Sequence, residues 1–128
     1  NCKLTCAIFV VTGRNEEEIQ RNTVEIKSQI GFYASTPSYR KVLELHGWGD
    51  FGDHMNRLTK EGKWDTLWQD VPDEILNEFA VVAAPEDLPY AVRERYTGLL
   101  DRVGYYFPFD PEDETRRVVW EHASKAMA

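Results

Sequence analysis

The chain has little cysteine, no long apolar run and no excess of basic charge, and each shortage removes a class of protein. Cysteine occurs twice in 128 residues, as Cys2 and Cys6. On one extended segment their Cα atoms would lie roughly 13 Å apart at ~3.3 Å per residue, too far for a disulfide, so both read as packed thiols. No stretch approaches the ~20 apolar residues of a membrane span, and no charged start leads into an apolar signal core. Fifteen Lys and Arg stand against 22 Asp and Glu, a net charge of -7. Nucleic acid and anionic membrane both reward clustered Lys and Arg, so neither is expected as a partner. A reducing, cytoplasmic setting is expected. Chemical signatures are also scarce. Gly47-Trp48-Gly49 is too short for a phosphate loop, no nucleotide-binding glycine signature occurs, and Gly-x-Ser-x-Gly is absent, which leaves a serine hydrolase without support. Asp50, Asp53 and His54 cluster in sequence without a recognised ligand pattern, and His54 and His122 lack neighbours at metal-ligand spacing, so no metal is expected.

What the chain does have is patterned. Leu4 to Val11 is a nearly continuous apolar run rich in β-branched side chains, the pattern of a parallel strand buried on both faces. It starts almost at once after Asn1, as expected of a piece of a longer chain. Asn15 with Glu18 forms a capping box, backed by Glu16 and Glu17, and opens a helix to about Tyr33 with its stripe on Ile19, Thr23, Ile26, Ile30 and Tyr33. Thr36-Pro37 starts a second helix, the Thr hydroxyl accepting from an early N–H, and Gly47 stops it. Phe51, Met55 and Leu58 mark a third helix ending near Gly62, and Pro72 to Phe79 a fourth, with Ile75, Leu76 and Phe79 facing inward. Pro85 opens a longer helix to about Leu100 with a stripe of Leu88, Ala91 or Val92, Tyr96 and Leu99. Arg102 to Phe107 reads as a second strand, and about 111–127 as a last helix.

A strand, helix, strand, helix order implies α/β architecture with two parallel strands. The helix over 85–100 is then the crossover, and about 15–79 is a helical cluster inserted in the loop leaving the first strand. That loop opens at the C-terminal ends of the strands, the face that carries the active site in (β/α)8 enzymes.

The run from Gln29 to Asp50, with Phe32-Tyr33-Ala34-Ser35-Thr36-Pro37-Ser38-Tyr39 before a helix ending in His46-Gly47, resembles the C-terminal part of bacterial luciferase-like oxidoreductases, in particular their deazaflavin-dependent branch. Weaker support comes from Asp73 to Val82 followed by Pro85-Glu86. The resemblance implies that residues 1–128 are the C-terminal fragment of a (β/α)8 TIM barrel, running from strand seven through a helical insertion to strand eight and the closing helix. It implies hydride transfer between coenzyme F420, a deazaflavin, and a small organic substrate, or an FMN-dependent monooxygenase in the sister branch. It also implies a homodimer, and it places the main coenzyme-binding segments outside this chain, so the catalytic residues stay unassigned and the fragment is expected to be inactive alone. A non-enzymatic helical protein-interaction module, or a degenerate barrel end, are the rival readings.

Within that frame the substrate- or cofactor-proximal candidates are few. Tyr33, Ser35, Thr36 and Tyr39 sit at a helix junction where hydroxyls and free N–H groups could meet an anionic group, or could simply cap and pack. His46, in a last helical turn, is either a hydrogen-bond donor to substrate or a helix-end cation. Phe107 and Phe109 either wall an apolar pocket at the strand ends or plug the barrel. Arg40 and Lys41 could draw an anionic tail or form a solvated helix face. Trp48, Trp64 and Trp68 suit a core or an interface.

Overall fold

A computed structural model describes residues 2–107 and 113–126. Its elements are β1 (Thr5–Val11), α1 (Glu16–Ala34), a 3-10 turn at Pro37–Tyr39, α2 (Arg40–Leu45), α3 (Gly49–Lys60), a 3-10 helix at Trp64–Asp70, α4 (Asp73–Phe79), β2 (Ala80–Val82), α5 (Leu88–Tyr96), β3 (Arg102–Tyr106) and α6 (Asp113–Ala126). Two compact units are present, one of Asn1–Ile26 with Asn77–Ala128 and one of Lys27–Leu76.

The sheet unit holds three strands in the order β2-β1-β3, both pairings parallel. Sequence reading expected two strands. Ala80-Val81-Val82 is a third, too short to show the alternation or run that marks a strand, and it follows α4 without a break. Its presence also moves the crossovers: residues 16–79 connect β1 to β2, and α5 connects β2 to β3. The helical segment is therefore the β1-to-β2 connection itself, not an insertion ahead of a crossover at 85–100. The sheet core gathers Ile8 and Val10 of β1, Val81 of β2, Leu88 and Val92 of α5 and Val119 of α6. These side chains share the even-numbered face of β1.

The opposite face of β1 is not buried throughout. Ala7 and its β3 partner Gly104 are exposed, Phe9 is half-buried against the exposed Tyr106 at 5.3 Å between ring centroids, and Val11 alone is fully buried. A strand buried on both faces was expected; the finding is one helix-covered face and one open face, with Leu4 and Thr5 exposed at the start. Cys2 and Cys6 are free and exposed rather than packed, because both belong to this uncovered first part of the chain.

α5 is shorter than expected. Gly98, at φ +85°, adopts the left-handed conformation that ends a helix, so Leu99 escapes the apolar stripe and is 65% exposed. The same device operates at Gly47 (φ +77°) after α2 and at Gly62 (φ +78°) after α3.

In the helical unit the buried apolar residues are Ile30, Ala34, Leu43, Met55, Leu58, Leu67, Val71, Ile75 and Leu76. Gly31 is part of how they close: a Cβ there would meet Leu67 Cβ at 3.1 Å and Met55 Sδ at 3.4 Å, so its hydrogen admits α1 close to the 3-10 helix. Lys27 Nζ bonds Asp73 Oδ1 at 2.8 Å across the unit. Among the described residues no helix is long and apolar enough to cross a membrane.

Candidate functional site

The parallel pairing brings the C-terminal ends of β1, β2 and β3 to one edge of the sheet. There the Ala83 amide donates to the Val11 carbonyl at 3.1 Å, and Phe107 follows directly on β3. The turn from β1 into α1 is tightly built. Thr12 is fully buried, and its carbonyl accepts from Asn22 Nδ2 at 2.7 Å, while its Oγ1 has no hydrogen-bond partner among the described residues. Gly13 has no room for a side chain without a shift of its neighbours, since a Cβ would fall 2.7 Å from Glu18 Cβ and 2.9 Å from the Ile19 nitrogen. Asn15 Oδ1 accepts from the Glu18 amide at 2.9 Å, and Glu18 Oε2 accepts from the Arg14 amide at 2.8 Å and from Arg14 Nε at 3.2 Å. The expected capping box thus forms, its return arm reaching one residue further back. Hydrogen bonds from the Arg14 backbone and side chain hold the Glu18 carboxyl below the usual range.

That turn decides what the sheet edge can bind. The N-terminus of a helix following a strand is the ordinary place for a phosphate, but here the helix end is filled by the chain's own Glu18, with Glu16 and Glu17 beside it. A coenzyme phosphate does not fit at this helix end. Thr12 and Asn22 were not legible as site residues in the sequence; the Thr-Gly after an apolar run was the available signal.

Among the sequence candidates, the helical unit joins Tyr33, Ser35, Thr36 and Tyr39. The rings of Tyr33 and Tyr39 lie 5.3 Å apart, and Phe32 packs against both Tyr33 (5.7 Å) and Trp64 (5.8 Å). The hydroxyls act differently from expectation. Thr36 Oγ1 donates to the Tyr33 carbonyl at 2.8 Å and makes no capping bond to the next turn, while Ser35 Oγ donates to the Phe32 carbonyl at 2.6 Å. Both close the C-terminal end of α1, whose last carbonyls need donors. They are helix-end donors, and the phenol of the exposed Tyr39 is the more open polar group of the cluster.

His46 lies outside this cluster and stacks on Trp48 at 4.7 Å and 15°. Phe107 belongs to the sheet unit, and Phe109 lies outside the described residues. Arg40 is engaged by Glu44 (2.9 Å) and by Asp53, which together raise its already high pKa, so it is committed to carboxylates within the chain. One constellation went unread: His54 Nε2 faces Asp70 Oδ2 at 2.8 Å while Arg57 Nη2 reaches His54 Nδ1 at 2.6 Å. With the guanidinium as donor, Nδ1 accepts and Nε2–H donates to the carboxylate, which fixes one neutral tautomer. No group of three or more His, Cys, Asp or Glu able to hold a metal occurs among the described residues.

Against known proteins, the model of the family described as luciferase-like monooxygenase matches residues 1–102. Three uncharacterized proteins, one from Mycobacterium bovis and two from strains of Mycobacterium tuberculosis, are each 42% identical over 101 residues, which is 79% of this chain and 30% of theirs. The chain therefore spans under a third of the length of the curated relatives it matches. No solved structure matches it significantly.

Proposed function

The chain belongs to the luciferase-like monooxygenase family, and from that membership we propose that it is the C-terminal part of a (β/α)8 oxidoreductase using a deazaflavin, coenzyme F420, with FMN-dependent monooxygenation as the sister reading. The family match over residues 1–102 carries this reading. The sheet supports it: all strands are parallel, helices cover one face, and the open face pairs small residues (Ala7, Gly104) with aromatic ones (Phe9, Tyr106). Staves of a barrel have this character, helix-packed outside and filled by interlocking side chains inside.

The reading carries a topological consequence. Successive strands of a (β/α)8 barrel are neighbours, which would put β2 between β1 and β3. In this chain β1 lies between the other two. In the longer enzyme β3 must therefore part from β1 and take β2 as its neighbour.

Luciferase-like proteins commonly bind flavin-type coenzymes, and the coenzyme would supply the hydride or electron step. This chain's share would be on the substrate side: Tyr39 as hydrogen-bond donor, Tyr33 as aromatic wall, Ser35 and Thr36 fixing the end of α1, His46 as a polar contact, and Phe107 with Phe109 as apolar surface. We place the whole protein in the cytoplasm as a homodimer acting on a small organic molecule. A non-enzymatic interaction module is the second reading, favoured by Val42 and the 87% exposed Leu45 on α2.

Coenzyme titration separates the two. The longer protein should bind a deazaflavin or FMN saturably, seen as fluorescence quenching, whereas this chain alone should not, because the main coenzyme-binding segments lie outside it. A micromolar site on the chain alone would overturn the placement of the coenzyme, and no binding by the longer protein would overturn the enzyme reading.

A further inference from the structure

A groove of about 530 Å³ lies between α5, α6 and β3, and runs along that strand from Arg102 to Tyr105. Its volume is within the range of small-molecule sites, roughly 300–1,000 Å³. Val92, Leu100, Val103 and Ala123 give it an apolar lining, and Tyr105 stacks on Trp120 with ring centroids 5.6 Å apart and planes 4° from parallel, forming a flat wall. Trp120 is 54% exposed although it sits beside this apolar lining, and burial pushes the Tyr105 phenol above its ordinary value.

Arg93, Arg102 and Asp101 also line the groove; the Asp101 carboxylate accepts from the Leu4 amide at 2.8 Å, and both arginines are exposed. Neither side chain makes an ion pair or hydrogen bond among the described residues. This is unusual in a chain of net charge -7. Arg14, Arg21, Arg40 and Arg117 each hold a carboxylate, and Arg95 holds the carbonyls of Glu78 and Ala80. Two guanidinium groups beside an apolar trough are complementary to a ligand that is apolar along its body and anionic at one end, since guanidinium pairs with carboxylate in bidentate fashion and is weakly hydrated.

We propose that this groove binds a small amphipathic carboxylate, its body laid along the Tyr105–Trp120 wall and its head held by Arg93 and Arg102. The site lies on the face of β3 that α5 and α6 cover and does not depend on the coenzyme. Sodium octanoate titrated into the chain should shift the Trp120 indole N–H resonance saturably. Octanamide, equal in length and uncharged, should bind about tenfold more weakly, and Arg93→Gln with Arg102→Gln should weaken octanoate by a similar factor. Both arginines are exposed, so the double variant should keep its circular dichroism spectrum. Trp120→Phe, read on the Tyr105 ring resonances, should retain most binding, because the flat wall persists. Failure of octanoate to saturate would overturn the proposal, as would equal binding of octanoate and octanamide together with indifference to the arginine changes. A Trp120 shift that follows protein concentration without octanoate would assign the groove to a second copy of the chain instead.

Discussion

The sheet unit and the helical unit solve the burial problem differently. The helical unit closes apolar side chains from four α-helices and the 3-10 helix Trp64–Asp70, with Met55, Leu67 and Leu43 among its fully buried residues. The sheet unit buries one face under α5 and α6 and leaves Ala7, Gly104 and Tyr106 exposed on the other. A helix can satisfy its backbone hydrogen bonds within itself and needs only one apolar stripe covered. A parallel sheet needs cover on both faces and partners along both edges. The contrast teaches that a family segment can be locally complete where it is helical and still ask for neighbours where it is a sheet.

The largest expected effect comes from breaking each core in turn. Leu88→Ala in the sheet unit and Met55→Ala in the helical unit each remove a fully buried side chain and should each cost about 2–5 kcal/mol. Native-state hydrogen exchange should show the first change lowering protection mainly in β1–β3 and the second mainly in α3. Equal loss everywhere after either substitution would erase the distinction.

Glycine substitutions sharpen the same comparison at smaller scale. Gly13→Ala would press a Cβ against Glu18 Cβ and the Ile19 nitrogen, both fixed by the helix start, and should cost about 1–3 kcal/mol. Gly52→Ala in the helical unit meets Leu43 Cδ1 at 2.8 Å, the mobile end of a side chain, and should cost less than Gly13→Ala. Urea midpoints of the two variants test the order.

The smallest effect is electrostatic. Glu18 and Glu61 both have folded pKa values lowered, Glu18 chiefly by the Arg14 amide and Glu61 chiefly by Lys63. A lowered carboxylate pKa contributes stability that is present above the unfolded value, about 4.3, and is lost as pH falls through the folded one. Stability should therefore decline below about pH 5, and Glu18→Gln should flatten that decline. Added salt should remove the contribution of Glu61, whose pair with Lys63 is exposed, and spare that of Glu18, which is bound by a backbone N–H. A salt-sensitive Glu18 would show that its backbone bond is not the dominant cause.

Much of the helical structure was legible beforehand. The stripe from Ile19 to Tyr33, the Asn15–Glu18 box and the stops at Gly47 and Gly62 all stand, because caps and 3.6-residue periodicity are local. β2 was not legible, since three residues carry no period, and neither was the end of α5, where Gly98 was read as helix interior. At the candidate site, the grouping of Tyr33 with Tyr39 followed from their places on either side of the Thr36-Pro37 junction. The direction of the Ser35 and Thr36 hydrogen bonds did not, because the same hydroxyls can serve the helix before them or the helix after. Asp70 with His54, sixteen residues apart, meet only through the packing of α3 on the 3-10 helix.

Sequence alone determined most of the helices, the Asn15–Glu18 box, the stops at Gly47 and Gly62, the excess of acidic residues and the family, because those depend on neighbours a few residues away and on residue types in order. Only the tertiary structure decided the strand order, the open face of β1 and the groove with its two exposed arginines. Those depend on which distant segments share an edge, and no local pattern encodes that.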